Sequence, residues 1–299
     1  MKPLALLLAL SYFLVSAPLV DAQDGDRVRS VSVYECSHSA SDQPDRSNPR
    51  TLLSLAACLG DPDPAIRDRL AYSTLADMLR NEMPEPINLL ALKVYLTAVV
   101  KAQPRRNEGF AAPFAMLVLS EVARTDRVEP WMSPEERTEL ITLGADYLAG
   151  LTDYRGFDDE EGWRHGVAHT ADLFMQFALN DAITMEDAGL IVEAVSGKVA
   201  APDAPAYVFG EPERLARPIL FLARAGLRTD EQWVAFFNAL KPDEEAPRWQ
   251  DPYMSEDGLA AIHNTKAFAM ALYVNASVSE APELAPILSG SLELLNALP

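Results

Sequence analysis

The sequence predicts an all-α fold, and three observations carry that expectation. Apolar residues recur at helical spacing almost everywhere beyond residue 50, alternating β patterning is nearly absent, and Ser, Thr and Pro fall where helices begin. About eleven or twelve helices joined by short polar links suit stacked helical hairpins, a HEAT- or armadillo-like α-solenoid. The helix–turn–helix spacing of about 35–45 residues is in the range of HEAT-type repeats, although no two repeats are detectably similar.

The chain opens with Met1-Lys2 and an uncharged apolar run from Leu4 to Val20, then Val20-Asp21-Ala22 and polar sequence. That order predicts a secretory signal peptide cleaved after Ala22 (residues 1–22), not a membrane anchor. No cysteine stands at the cleavage point to take a lipid, and no later stretch reaches the roughly 18 apolar residues of a span. Export to the periplasm or the outside is the expected localisation. Residues 23–49 are expected to be an irregular N-terminal segment, with "VRSVSVYEC" (28–36) its strand-like part, and 50–299 a single helical-array domain. The chain has two cysteines, Cys36 and Cys58. In an oxidising compartment they are most simply a disulfide, worth about 3 kcal/mol in the chain-entropy model. The formal net charge of −19 works against nucleic acid and anionic membranes, since those surfaces ask for clustered Lys and Arg, and the sequence has no such block.

Helices follow in order. "GDPDPAIRDRLAYSTLADMLRN" (60–81) has Pro near its start, where a missing N–H does no harm, and Ile66, Leu70, Tyr72, Leu75 and Leu79 at helical spacing. "PINLLALKVYLTAVVKA" (86–102) and "FAAPFAMLVLSEVARTD" (110–126) are apolar enough to be inner helices. Ser133 with Pro134 and Glu136 begins 133–151 as a capping box; Thr184, and Thr229 with Gln232, are caps of the same kind. Further helices suit 212–226, 255–275 and 281–298, whereas "KPDEEAPRWQDP" (241–252) reads as an irregular acidic linker.

"GWRHGVAHTADLF" (162–174) places two of the chain's four histidines four residues apart, with an aspartate three further on. The helix carrying it is expected to begin at Asp158, with Asp159, Glu160 and Glu161 in its first turn, where acids suit the positive helix end. Trp163, Val167, Ala171, Phe174 and Ala178 then fall on one side, and His165, His169, Asp172 and Gln176 on the other, polar side. Two imidazoles and a carboxylate so spaced suit one divalent ion, zinc by ligand type, with manganese or iron as alternatives. The Glu of His-Glu-x-x-His is absent, Gly166 standing in its place, which disfavours a metalloprotease of that design. Equally, the face is simply polar because it is wet, or because its histidines are hydrogen-bonded structure.

Asp153 and Arg155 in "DYRGF" (153–157) either reach the same groove or stabilise the turn at Gly156. "GEPERLARPI" (210–219) carries Glu211, Glu213, Arg214 and Arg217, most simply an exposed ion-paired helix start. In "AIHNTKAF" (261–268), His263, Asn264 and Lys266 stand out from an otherwise apolar helix. Gly-x-Ser-x-Gly, P-loop and dinucleotide motifs are absent. Many Asp and Glu leave a paired-carboxylate glycosidase open, with Trp131, Trp163, Trp233 and Trp249 as sugar platforms, but four tryptophans in such a chain are ordinary.

"RDRLAY" (67–72), "VLSEVARTDR" (118–127), "DYRGF…GWRHGVAHTADL" (153–173), "ERLARP" (213–218) and "LAAIHNTKAF" (259–268) together resemble one bacterial family, domain-of-unknown-function family 2785. The resemblance implies an all-α, HEAT-like fold and no established activity. Its Gly-Trp-x-His-x-x-x-His-x-x-Asp block falls here on Gly162, Trp163, His165, His169 and Asp172.

Two functions suit this chain. The first is a binding module for a peptide, protein or small ligand, whose groove comprises Asp153, Arg155, Trp163, His165, His169, Asp172, His263, Asn264 and Lys266. The second is a metal-dependent hydrolase with His165, His169 and Asp172 as ligands and Asp153 as general base. Fold analogy does not decide between them.

Overall fold

Caps written into the sequence set the helix starts. Ser133, Thr184 and Thr229 each accept a hydrogen bond from the backbone N–H three residues on, and Glu136, Asp187 and Gln232 reach back to the cap, completing three capping boxes. The structure is a computed structural model describing residues 50–102, 109–202, 204–243, 245–279 and 281–299. The expected signal peptide, the 23–49 segment and Cys36 lie outside the described residues; Cys58 lies within them and is buried.

The protein is all-α, with twelve helices among the described residues. These are α1 (Arg50–Ala57), α2 (Ser73–Asp77), α3 (Pro86–Ala102), α4 (Ala111–Val128), α5 (Pro134–Gly150) and α6 (Gly166–Ala178), then α7 (Met185–Val199), α8 (Glu211–Arg224), α9 (Asp230–Ala239), α10 (Pro247–Gln250), α11 (Glu256–Val278) and α12 (Ala285–Ala297). Wider π turns, Ala65–Tyr72 and Met78–Glu82, flank α2, so helical structure runs through the segment predicted as one helix. The segment expected to be an irregular linker contains α10 and the 3-10 turn Pro252–Met254, because Trp249 is buried there and orders it.

Alternate helices pack side by side in one row, α4 on α6, α6 on α8 and α8 on α11. The others lie over that row: α3 on α4, α5 on α6 and α7, and α12 on α11 and α9. Small residues permit the close row, since Ala112, Ala115 and Ala123 of α4 and Ala168 and Ala171 of α6 are buried at its contacts. Contacts join like ends (Pro113 to His169, Arg127 to Gln176, Asp172 to Arg214), so α4, α6 and α8 run parallel. α4 is an inner helix as predicted. α3 is not, for Ile87 and Val94 stay exposed on its outer side. Among the described residues no helix is long and apolar enough to cross a membrane.

Two buried charges hold this frame. Asp126, at the end of α4, accepts from the Trp131 and Met132 amides (2.9 and 2.7 Å), from Arg137 Nε of α5 (2.7 Å) and from Asn180 Nδ2 beyond α6 (2.9 Å). Burial opposes its charge, but those donors outweigh burial and hold the carboxyl below its usual range. Arg67 lies fully buried over the Phe110 ring (3.8 Å) and donates to the carbonyls of Asp61, Pro62 and Glu161 (3.1, 3.2 and 2.7 Å). The last of these ties the N-terminal helices to a short hairpin of β1 (Phe157–Asp158) and β2 (Gly162–Trp163), which leads into α6.

Candidate ligand-binding site

The stretch expected to open α6 forms this hairpin instead. The Asp158 carboxylate accepts from the Glu160 and Glu161 amides (both 2.9 Å), closing a tight turn, and Gly162 takes φ +76°. A short acceptor that can bond its own downstream backbone competes with helix formation, and here it wins. The chain then enters α6 through His165, whose left-handed backbone (φ 54°, ψ 38°) is uncommon outside glycine. Amides of Arg164 and His165 donate to the Gly156 and Arg155 carbonyls (2.9 and 3.1 Å), fixing that corner.

His165 and His169 do come together, with ring centroids 5.8 Å apart. They are not on a wet face: each is only 6% exposed, and Asp172 is buried as well, because α4 and α8 cover both sides of α6. His169 Nδ1 donates to the Pro113 carbonyl (3.0 Å) and its ring meets Phe114 edge-on. That bond fixes the tautomer with the proton on Nδ1. Burial, and then the neighbouring His165, push its pKa down to about 3. Burial raises the Asp172 pKa, opposed by its ion pair with Arg214 of α8.

The His165 ring stacks on Trp163 (4.8 Å), itself packed against Phe157 and Phe209. Its Nε2 lies 3.4 Å from Glu211 Oε1, yet has no hydrogen-bond partner among the described residues. Glu211, expected on an exposed helix start, is 2% exposed, because Gly210 (φ +88°) turns the first residue of α8 inward. Its other oxygen accepts from the Phe209 amide (2.9 Å). Burial alone would raise the Glu211 pKa, but these neighbours outweigh it and hold the group ionised below its usual range. Beside His165, the buried Tyr147 hydroxyl also lacks a partner; it occupies space left by Gly166, where a Cβ would approach it to 2.9 Å.

Glu211 forms part of the wall of a cleft of about 560 Å³, bounded by residues 152–158 with Gly162 and Arg164 on one side and by residues 205–209 with Glu211 on the other. Asp153, Arg155, Tyr154, Tyr207, Phe209 and Glu211 line it. Asp153 and Arg155 line the cleft and pair with each other (Nε–Oδ1 2.8 Å) across the turn, whereas His165, His169 and Asp172 are not among its lining residues. Burial raises the Asp153 pKa, but the Arg155 bonds outweigh it and leave the carboxylate a weak proton acceptor.

His263 does not join the other histidines. Its Nε2 donates to the Tyr207 carbonyl (3.0 Å), while the buried Asn264 accepts from the Tyr207 amide (2.7 Å) and donates to the Pro205 carbonyl (3.0 Å). These residues fasten the 205–207 wall of the cleft to α11, and Lys266 is exposed further along that helix. Among the described residues, no three His, Cys, Asp or Glu side chains are disposed to hold a metal ion. Asp172 is taken up by its ion pair with Arg214, whereas the Pro113 bond to His169 Nδ1 leaves the Nε2 lone pair of that ring untouched.

Sequence reasoning placed Glu211 and Arg214 on an exposed, ion-paired helix start and passed over Tyr147; Tyr147 and Glu211 are both drawn inward. The first two were visible at i and i+3 on one helical face, but nothing in the sequence says which side of a helix start is covered. A family model described as "Protein of unknown function (DUF2785)" matches residues 96–274. No curated protein and no solved structure matches the chain.

Proposed function

The chain belongs to the DUF2785 family, and we propose that it is a binding module holding a small ligand in the cleft where α6 and α8 begin. One observation carries this reading: the buried carboxylate of Glu211, with His165 Nε2 3.4 Å from it, forms part of the wall of a cleft also lined by Phe157, Tyr207 and Phe209. A concave cleft whose mostly aromatic wall carries a few placed polar groups is where small ligands bind. His165 adds a left-handed backbone, the sort of local cost that folds retain at working sites. The aromatic wall of Phe157 and Phe209, with Trp163 packed against both, and the anionic Glu211 suit a compact apolar molecule carrying hydrogen-bond donors, an amine in particular. No observation gathers a third metal ligand or frees Asp153 as a base, so the hydrolase reading gains nothing.

The test is a fragment screen by ligand-observed NMR, weighted toward small aromatic and aliphatic amines, against the wild type and Glu211→Gln. Glutamine keeps an acceptor for the Phe209 amide while removing the charge. Amine hits should weaken about tenfold in the variant and shift the His165 ring resonances. Hits indifferent to Glu211→Gln, or a screen with none, would sink the proposal.

A further inference from the structure

We infer that the face of the α4–α6–α8 row beyond the cleft is a docking surface for an acidic peptide, gripped by Arg124, Arg127 and Arg217. Arg124 and Arg127 stand one turn apart on α4, and Arg127 Nε donates to Gln176 Oε1 of α6 (3.1 Å), which places it over the neighbouring helix. Arg217 follows Arg214 by one turn on α8 and acts electrostatically on Asp172. Two carboxylates near this face already have cations: Glu121 pairs with Arg80 (Nε–Oε2 2.8 Å), and Asp172 with Arg214. Among the described residues Arg124, Arg127 and Arg217 form no ion pair. Arg127 is partly buried and lies close enough to Arg124 for the two cations to repel. On a chain of net charge −19, three arginines outside any ion pair, on the two helices that flank α6, are a local inversion of sign.

The arrangement also selects the kind of anion. Neighbouring helix axes lie about 8–10 Å apart, so α4 to α8 spans about 16–20 Å. That exceeds one phosphate or a small dicarboxylate, and equals about five or six residues of extended peptide. The paired carboxylates between the arginines would repel a uniformly charged polyphosphate backbone. An extended peptide can instead place two or three acidic side chains on the guanidinium forks. This surface does not depend on the cleft ligand.

Fluorescence anisotropy on the full-length protein tests it, with a short labelled poly-glutamate peptide as probe and a poly-lysine peptide and a single-stranded oligonucleotide as controls. The glutamate peptide should bind at low salt, lose affinity as salt rises, and bind about tenfold more weakly to the Arg124→Gln/Arg127→Gln/Arg217→Gln variant. Should the triple variant fold poorly, Arg217→Gln alone, at an exposed residue, should still weaken binding, and Arg69→Gln on the N-terminal π turn should not. Absence of glutamate-peptide binding, equal binding by the triple variant, or oligonucleotide binding with the same arginine dependence would each overturn the inference. Because Glu211→Gln leaves these arginines untouched, failure here and failure of the cleft reading are separately visible.

Discussion

His169 is held as a neutral imidazole by the loss of water around it and then by the neighbouring His165, which together outweigh the Pro113 hydrogen bond that favours the protonated ring. In the unfolded chain it takes up a proton near pH 6.5, whereas in the folded protein it does so only near pH 3. Acid therefore loads the unfolded state first, and His169 subtracts stability as pH falls between those values, by up to about 1.4 kcal/mol per pH unit. Asp172 works in the opposite direction, since its raised pKa lets the folded state take a proton early. Replacing His169 by Asn keeps a donor for Pro113 and removes the titration. Urea unfolding of wild type and His169→Asn from pH 7 to pH 4 should show a shallower decline in the variant. Parallel declines would mean that the ring is solvated and protonated normally.

The helices and their caps were legible because they depend on neighbours in sequence. Ser133 with Glu136, Thr184 with Asp187, and Thr229 with Gln232 each satisfy orphan amides within one turn, and all three form as their spacing predicts. The start of α6 was not legible, because a short-range competitor intervened. Acids at 158–161 suit a helix N-terminus, yet Asp158 makes a better bargain with the two amides ahead of it, and the helix begins at Gly166. Burial was the other blind spot. His165, His169 and Asp172 were expected together on a polar face, either wet or hydrogen-bonded structure; α4 and α8 enclose them, and a periodicity reports a face without reporting its neighbour. Between elements, Asp126 is the joint of greatest consequence, serving α4, α5 and the turn after α6 at once. Asp126→Asn leaves Arg137 buried without its counter-charge and should cost about 3 kcal/mol or more. Chemical denaturation measures this; a loss under about 1 kcal/mol would mean that the site relaxes and admits water.

At the scale of the whole molecule, the −19 charge concealed the arginine face. Its members come from different helices, so no basic block exists in the sequence, and only the parallel packing of α4, α6 and α8 assembles them. The same separation in sequence marks Arg67. Its guanidinium, buried against Phe110, holds the Glu161 carbonyl from 94 positions away and so fixes the hairpin whose residues wall the cleft. Arg67→Met should leave the helices formed while making residues 157–163 the first site of limited proteolysis; an unchanged digestion pattern would show that the hairpin stands unaided. The family match begins at residue 96, beyond Arg67. The border along which a sequence family is recognised is thus not the border at which this molecule carries its mechanical load: a fragment cut at the first would keep every cleft-lining side chain and lose the one that holds them in place.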